Sequence, residues 1–207
     1  MLDAVAGHTL LSEVIVVDDG SQDGTAEVVK KYRNIKLISY KPNRGKSSAF
    51  ITGVKNSSGN IIMMLDADLV GIERTNIKNL AEPVLSNAAD VTISLRKNSL
   101  FLYRWLGIDY VSGERVFKKE LIAGHFEKIK KLPSYGLESY INDLIIQNKL
   151  RVMVVPWPNV KITNKSGKIG FWKGVRGEIN MVRQIIKLMT FRGVVRQIYL
   201  LRSLIKR

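Results

Sequence analysis

The sequence predicts an α/β fold, in which a mostly parallel sheet is flanked by helices. Strands and helices alternate along the first third of the chain, which predicts parallel strands joined by right-handed crossovers. Two predicted strands, starting at Glu13 and Ile61, are apolar on both faces, as expected of a sheet covered on both sides. Each of these two strands ends in a pair of aspartates.

The elements of this first third follow from apolar periodicity and turn residues. Residues 1–11 predict the end of a helix, because their apolar side chains fall on one face. Ser21 or Asp23 can cap the helix that follows the first strand, and the loop from Lys41 to Lys46 is basic and rich in turn residues. The predicted elements are a strand at 13–17, a helix at 25–32, a strand at 36–40, a helix at 47–56 and a strand from 61.

The remainder of the chain predicts two more helices and two more strands. They are a helix at 73–86, a strand at 90–95, a helix at 137–148 and a strand at 151–156. The helix at 137–148 has the clearest pattern, because its apolar residues recur at i, i+3, i+4 and i+7. Residues 98–110 mix aromatic residues with leucines, and we expect this segment to be mobile or to face a membrane.

Carboxylates follow two of the predicted strands: Asp18 and Asp19 follow the first, and Asp66 and Asp68 follow the strand from Ile61. In open α/β sheets, ligands bind at the carboxyl ends of the strands. Carboxylates are rare in cores and are good ligands for hard divalent cations. The Asp-Ala-Asp turn therefore predicts a metal-dependent phosphate site. Taken alone, so short a pattern is explained equally well by an ordinary acidic turn.

Composition limits the classes of protein. The chain has 207 residues, of which 45% are hydrophobic and 25% charged, as expected of one globular domain with an appendage. The absence of cysteine and the presence of two histidines exclude disulfides, thiolate metal sites and multi-histidine sites. No apolar stretch is long enough for a membrane-spanning helix. The net charge of +15 predicts a polyanionic partner, either nucleic acid or an anionic membrane surface.

Several linked motifs resemble the signature of family 2 glycosyltransferases, which have the Rossmann-like GT-A fold. The motifs are Val16–Thr25, Asn43–Lys46 with its following helix, Ser58–Asn60 and the strand that ends in Asp-Ala-Asp. Their order and spacing agree with the family over residues 13–70, and more weakly to residue 158. Family members begin with a further strand and helix, so we expect that roughly 25 residues of that unit are missing here.

The resemblance implies Mn²⁺ or Mg²⁺ as cofactor and a nucleoside diphosphate sugar of the UDP or GDP type as donor. Asp66 and Asp68 would hold the metal, which stabilises the leaving nucleoside diphosphate. The first acidic turn would hold the base and ribose, with Asp19 as a hydrogen-bond acceptor. For Lys46, a solvated basic loop is the alternative. The implied nucleotide-sugar residues are Asp18, Asp19, Gly20, Ser21, Lys46, Asp66, Ala67 and Asp68.

The same resemblance implies roles for two more residues, Arg115 and Glu138. The segment Ser112–Lys119 resembles the Gly-x-Arg segment of polyprenyl-phosphate sugar transferases, which implies that Arg115 binds a phosphate of acceptor or donor. The alternative is an exposed basic strand. Glu138, in the first turn of a predicted helix, would be the general base for a sugar hydroxyl, so Asp68 and Glu138 are the candidate catalytic residues. A phosphate acceptor needs no base, and a glutamate that stabilises the helix N-terminus is the alternative.

We expect a catalytic domain at 1–160 and a basic amphipathic extension at 161–207. From Arg176 to Arg207, eight basic residues and one acid are interspersed with apolar residues. This pattern predicts one or two helices in a membrane interface, with a break at Gly193. A helical hairpin packed on the catalytic domain is the alternative.

The favoured hypothesis is an inverting, metal-dependent glycosyltransferase, bound peripherally to the cytoplasmic face of the cell membrane. Its acceptor would be a polyprenyl phosphate or a lipid-linked or cell-surface glycan. A sugar-phosphate nucleotidyltransferase is a second hypothesis, but the chain lacks the Gly-rich phosphate loop that such enzymes carry near the start. A basic nucleic-acid-binding module is a third. No binding motif accompanies the charge, so we expect no nucleic-acid partner.

Overall fold

The computed structural model describes residues 1–99, 101–133, 136–162 and 190–206. The strands are β1 (Ile15–Asp18), β2 (Lys36–Ser39), β3 (Ile61–Met64), β4 (Leu69–Val70), β5 (Val91–Arg96), β6 (Arg115–Lys118), β7 (Val152–Trp157) and β8 (Lys161–Ile162). The helices are α1 (Leu2–Val5), α2 (Thr25–Lys30), α3 (Lys46–Lys55), α4 (Arg74–Leu85), α5 (Phe101–Leu106), α6 (Phe126–Lys130) and α7 (Gly136–Gln147), with a 3₁₀ helix at Lys119–His125. Residues 190–203 are also helical.

The strands form three sheets, of which the largest has the order β3-β6-β5-β7. Strands β5 and β7 are parallel, whereas β6 is antiparallel to both β3 and β5. Strand β1 pairs in parallel with β2, and β4 pairs antiparallel with β8. The predicted α/β fold is therefore confirmed, with β6 as a reversed strand that makes the main sheet mixed.

The predicted strands and helices of the first part form close to the expected positions. Helix α2 begins at Thr25, and the carboxylate of Asp23 accepts hydrogen bonds from the Thr25 backbone N–H and hydroxyl. Helix α4 begins with a capping box, in which Glu73 and Asn76 satisfy each other's backbone N–H groups. The predicted end of a helix in residues 1–11 is α1, which buries Ala4 and Val5.

Residues 98–110 are partly buried. Helix α5 and the residues after it bury Tyr103, Ile108 and Tyr110 in the main hydrophobic core. In contrast, Phe101 and Trp105 are 81% and 71% exposed. The expectation that this segment is mobile or faces a membrane stays a prediction.

The helix at 190–203 packs against α7. The alternative prediction for the C-terminal segment, a helical hairpin packed on the catalytic domain, needs a second helix that would lie outside the described residues. Leu201 is fully buried in the main core, and the side chain of Gln197 is buried beside Asn142 and Asp143. Gly193 lies inside this helix, so the predicted break there is wrong. The first part of the basic segment, up to residue 189, lies outside the described residues.

The predicted domain boundary at residue 160 stays a prediction. Immediately after that residue, β8 pairs with β4 next to the Asp-Ala-Asp turn. Further on, Ile205 forms a parallel bridge with Val152 at the start of β7. Over the described ranges, no helix combines the length and apolar character needed to cross a bilayer.

We predict that Gln197→Ala destabilises the protein by about 1–3 kcal/mol, because it leaves buried polar groups unpaired. The Gln197 amide donates to the Ser139 carbonyl and to Asp143 Oδ1, and its oxygen accepts from Asn142 Nδ2. Urea unfolding would measure the change. Gln147→Ala, an exposed glutamine at the end of α7, is the matched control. Equal effects of the two substitutions would contradict the docking of this helix.

Candidate active site

Lys46 joins two carboxylates that are distant in the sequence. Its Nζ lies 2.6 Å from Asp66 Oδ1 and 2.6 Å from Glu138 Oε1. Lys46 is the first residue of α3, Asp66 follows β3, and Glu138 lies in the first turn of α7. Three of the predicted site residues therefore meet at one point. Lys46 is thus ion-paired, although its side chain remains 45% exposed.

The charges at this point are only partly exposed to solvent. Glu138 is 2% exposed, and among the described residues its Oε2 is buried without a hydrogen-bond partner. Partial burial lowers the pKa of Lys46, but the charges of Glu138 and Asp66 outweigh that effect and raise the pKa above its usual value. The ammonium is therefore held in its charged form between the two carboxylates.

Asp66 and Asp68 provide a site that fits a divalent cation. Partial burial, and then the negative charge of Asp66, raise the pKa of Asp68, and a bound cation would relieve that repulsion. The Asp66 carboxylate lies directly against Gly113, in the space that a Cβ atom at residue 113 would fill. No group of three His, Cys, Asp or Glu side chains suited to a metal occurs within the described ranges. Two carboxylates alone suit Mg²⁺ or Mn²⁺ that takes its other ligands from a diphosphate and water.

Asp18 and Gly20 shape the first acidic turn. The buried Asp18 accepts a hydrogen bond from the Ser21 N–H at 2.9 Å, and hydrogen bonds from Ser21 lower the pKa of Asp18. Gly20 has a φ of +87°, and a Cβ there would lie 3.3 Å from the Asn43 backbone nitrogen. Glycine is therefore required both by the left-handed backbone and by the close approach of the loop after β2.

Asp19 ties that loop to the acidic turn. Its Oδ1 accepts from the Arg44 N–H at 2.7 Å, and its Oδ2 accepts from the Gly45 N–H at 2.8 Å. Lys46 follows immediately, so Asp19 fixes the segment from which Lys46 reaches Asp66. Asp19 was predicted to accept hydrogen bonds from a nucleotide. In this structure each of its oxygens already accepts a backbone N–H, although the side chain is partly exposed.

A cleft of about 360 Å³ opens beside Lys46. One wall is the start of α3 and the other is the chain that leads into α7. Lys46, which binds Asp66 and Glu138, lines this cleft, as does Leu137, the residue before Glu138. Its lining residues are Asn43, Arg44, Gly45, Lys46, Ser47, Leu132, Pro133 and Leu137.

Arg115 lies beneath the site with no exposed surface. Its guanidinium donates from Nε to the Ser112 carbonyl, from Nη1 to Asn142 Oδ1 and from Nη2 to the Tyr110 carbonyl. Burial lowers the pKa of Arg115. The alternative prediction for Arg115, an exposed basic strand, is therefore wrong. A phosphate could reach the Arg115 guanidinium only if the residues that bury it moved.

Sequence reasoning missed a cluster of buried charges next to Arg115. Arg96 Nη1 lies 2.8 Å from Glu114 Oε1, and Arg96 Nη2 lies 3.3 Å from Asp109 Oδ2. The Glu114 carboxylate also accepts from the hydroxyls of Ser94 and Ser112. Burial raises the pKa of Glu114, although the charge of Arg96 opposes this. The sequence feature that could have revealed this cluster is Arg96, a charged residue at the end of an apolar strand.

The family follows from a comparison of the whole chain with known protein families. Residues 2–126 match Glycosyl transferase family 2. The chain belongs to this family. The match spans both acidic turns, the loop before Lys46, and Arg115, which are the motifs that carried the resemblance in the sequence.

Curated relatives include a dolichyl-phosphate beta-glucosyltransferase of Dictyostelium discoideum, which is 29% identical over 141 residues. That alignment covers 65% of this chain and 38% of the relative. A poly-beta-1,6-N-acetyl-D-glucosamine synthase of Staphylococcus epidermidis is 43% identical over 61 residues, covering 28% of this chain and 15% of the relative. The chain thus spans less than two fifths of the length of these relatives.

Solved structures establish the GT-A fold. Glucosyl-3-phosphoglycerate synthase from Mycobacterium tuberculosis, crystallised with Mn²⁺ and UDP-glucose, has a TM-score of 0.66 and 19% identity. That comparison covers 90% of this chain and 72% of the synthase. The GT-A fold implied by the resemblance is therefore confirmed.

We predict that Asp19→Ala lowers the free energy of unfolding by about 1–2 kcal/mol, even without a nucleotide, because two backbone N–H groups lose a charged acceptor. Urea unfolding of the ligand-free protein would measure this. Glu27→Ala, which removes an exposed acid on the adjacent helix α2, is the control and should have little effect. An unchanged stability of Asp19→Ala would mean that the loop does not depend on this carboxylate.

Proposed function

We propose that this protein transfers a sugar from a nucleoside diphosphate donor to a membrane-associated acceptor, with inversion at the sugar. One observation carries the proposal: Lys46 brings the Asp-Ala-Asp turn and Glu138 within hydrogen-bond distance of a single ammonium group. A donor diphosphate at the first and an acceptor at the second would then be adjacent. Family membership supports glycosyl transfer over nucleotidyl transfer or nucleic-acid binding.

The donor would bind through its diphosphate. Asp66 and Asp68 would hold Mn²⁺ or Mg²⁺, which supplies Lewis-acid stabilisation of the departing nucleoside diphosphate. Lys46 adds a positive charge at the same place, held there by two carboxylates. Arg44, whose backbone is anchored by Asp19, lies at the edge of the cleft beside it. Support for a UDP-sugar comes from the M. tuberculosis synthase, which was crystallised with UDP-glucose and Mn²⁺.

Glu138 would act on the acceptor. In a single displacement, an acceptor oxygen bonds to the anomeric carbon as the bond to the diphosphate breaks, which inverts that carbon. If the acceptor is a hydroxyl, the Glu138 carboxylate would take its proton. Its Oε2 has no hydrogen-bond partner but is buried, so the acceptor could reach it only if the residues around it moved. If the acceptor is a polyprenyl phosphate, the attacking oxygen is already ionised, and Glu138 would instead hold Lys46 in place.

The acceptor would reach the protein at the cytoplasmic face of a membrane. The helix at 190–203 exposes an apolar stripe of Phe191, Val195 and Tyr199. The adjacent Arg192 and Arg196 are also exposed, and the described C-terminal residues contain no acid. An apolar stripe flanked by arginines fits a helix lying on anionic lipid. The curated relatives named for a dolichyl phosphate acceptor add support for a lipid-linked substrate.

We expect UDP or GDP to raise the melting temperature of the protein only when Mn²⁺ is present, because a ligand that binds the folded state alone stabilises it. Differential scanning fluorimetry with each nucleotide, with and without Mn²⁺, would measure this and identify the donor base. The shift should disappear in Asp68→Asn.

Asp143→Asn is the matched control for this experiment. Asp143 lies on α7 and accepts a hydrogen bond from Gln197, an interaction that asparagine can preserve. Its metal-dependent shift should equal that of the wild type. The absence of any shift with either nucleotide in the wild type, or equal losses in the two variants, would contradict the proposed site.

We also expect the protein to sediment with phosphatidylcholine vesicles that contain phosphatidylglycerol, and to do so less at high salt. Replacing Phe191 and Tyr199 together by serine should reduce this binding several-fold. Replacing Val28 and Leu85, which are similarly exposed apolar residues on other helices, is the control. Equal binding by both double variants would mean that the stripe on the C-terminal helix does not contact lipid.

A further inference from the structure

Gly113 lies where a side chain would collide with the carboxylate of Asp66. The three atoms nearest to a Cβ built at residue 113 are Oδ1, Oδ2 and Cγ of Asp66, all closer than any real Cβ contact. The backbone at Gly113 does not have the left-handed conformation that would itself demand glycine. The close approach of the Asp66 carboxylate, rather than the chain conformation, therefore leaves no room for a side chain at this position.

The residues on either side of Gly113 in the chain are held by buried hydrogen bonds. The preceding residue, Ser112, is fully buried, and its carbonyl accepts from Arg115 Nε at 2.7 Å. The following residue, Glu114, is also fully buried and binds Arg96 through both carboxylate oxygens. Moving Gly113 away from Asp66 would disturb these bonds, so an added side chain would displace the carboxylate instead.

Asp66 is thereby confined between two neighbours. Gly113 backbone lies on one side of its carboxylate, and Lys46 Nζ lies 2.6 Å from its Oδ1 on another. Asp66 is only partly exposed, and it lies two residues after Met64, the last residue of β3, which is opposite Arg115 in β6. The pairing of β3 with β6 therefore sets the distance between Gly113 and Asp66.

We propose that Gly113 is a positioning residue of the metal-diphosphate site, which sets the orientation of Asp66 by leaving room for its carboxylate against the main chain. This inference rests on the proposed function, since it assumes that Asp66 and Asp68 hold the cation together. Gly113 itself contacts neither donor nor acceptor in this role. The buried cluster of Arg96, Glu114 and Arg115 acts through it, by keeping the backbone in place.

The test is the affinity for Mn²⁺, measured from the electron paramagnetic resonance signal of free Mn²⁺ in the presence of UDP and, separately, of GDP. Gly113→Ala should weaken Mn²⁺ binding at least tenfold, because the displaced Asp66 can no longer share the ion with Asp68. Gly124→Ala is the matched control. A Cβ there meets nothing within 4 Å, and its backbone is not left-handed, so its Mn²⁺ affinity should equal that of the wild type.

A double-mutant cycle on the metal-free protein separates this role from a general packing defect. Gly113→Ala should lower the stability of the wild type measured by urea unfolding. In an Asp66→Ala background the colliding carboxylate is gone, so Gly113→Ala should then be neutral or stabilising, as alanine restricts the unfolded chain. An equal loss of stability in both backgrounds would overturn the inference, because the collision would lie elsewhere.

The outcomes distinguish the two proposals. If the wild type binds Mn²⁺ with a nucleotide and Gly113→Ala binds it equally well, the positioning role is overturned and the proposed function stands. If the wild type does not bind Mn²⁺ with either nucleotide, the metal-dependent function is overturned, and the role of Gly113 falls with it. A loss of Mn²⁺ affinity in Gly113→Ala but not in Gly124→Ala, together with the expected result of the double-mutant cycle, supports both the positioning role of Gly113 and the metal-dependent function.

Discussion

The ion pairs of Lys46 with Asp66 and Glu138 are the interaction on which the site depends. A carboxylate as buried as that of Glu138 is unfavourable without a positive partner, because it has lost most of its hydration. Lys46 supplies that partner and is shared with Asp66. The same contact thus stabilises a buried charge and fixes the starts of α3 and α7 relative to the end of β3.

Lys46 can make this contact because the loop before it is held by Asp19. The Asp19 carboxylate, in the first acidic turn, accepts hydrogen bonds from the backbone N–H groups of Arg44 and Gly45. These two charge-assisted hydrogen bonds order the loop. The two acidic turns are therefore connected through the residues between β2 and α3. This connection gives Asp19 a structural role in the ligand-free protein, alongside the nucleotide contact that the family resemblance implies for this turn.

Beneath the site, charged residues replace part of the apolar core. Arg96 forms ion pairs with both Glu114 and Asp109, while Arg115 is bound by backbone carbonyls and by Asn142. Removing one member would leave an unpaired buried charge, which is strongly destabilising. Asn142 also binds Gln197, so the network extends from the strand beside Asp66 to the helix whose outer face carries the apolar and arginine residues proposed to contact lipid.

The sequence by itself determined the longer elements, which are strands β1, β2, β3, β5 and β7 and helices α2, α3, α4 and α7. It also determined the acidic turns and the family, because apolar periodicity and short motifs are local properties of the chain. It also identified Lys46, Asp66 and Glu138 individually. Only the tertiary structure decided that these three meet, that Arg115 is buried, and that β6 is antiparallel within the sheet. Nothing in the sequence except its place in a motif pointed to Gly113. Its proposed role depends on contact with Asp66, which the pairing of β3 with β6 brings against it. Contacts between distant segments depend on strand register and burial, and no local pattern encodes these.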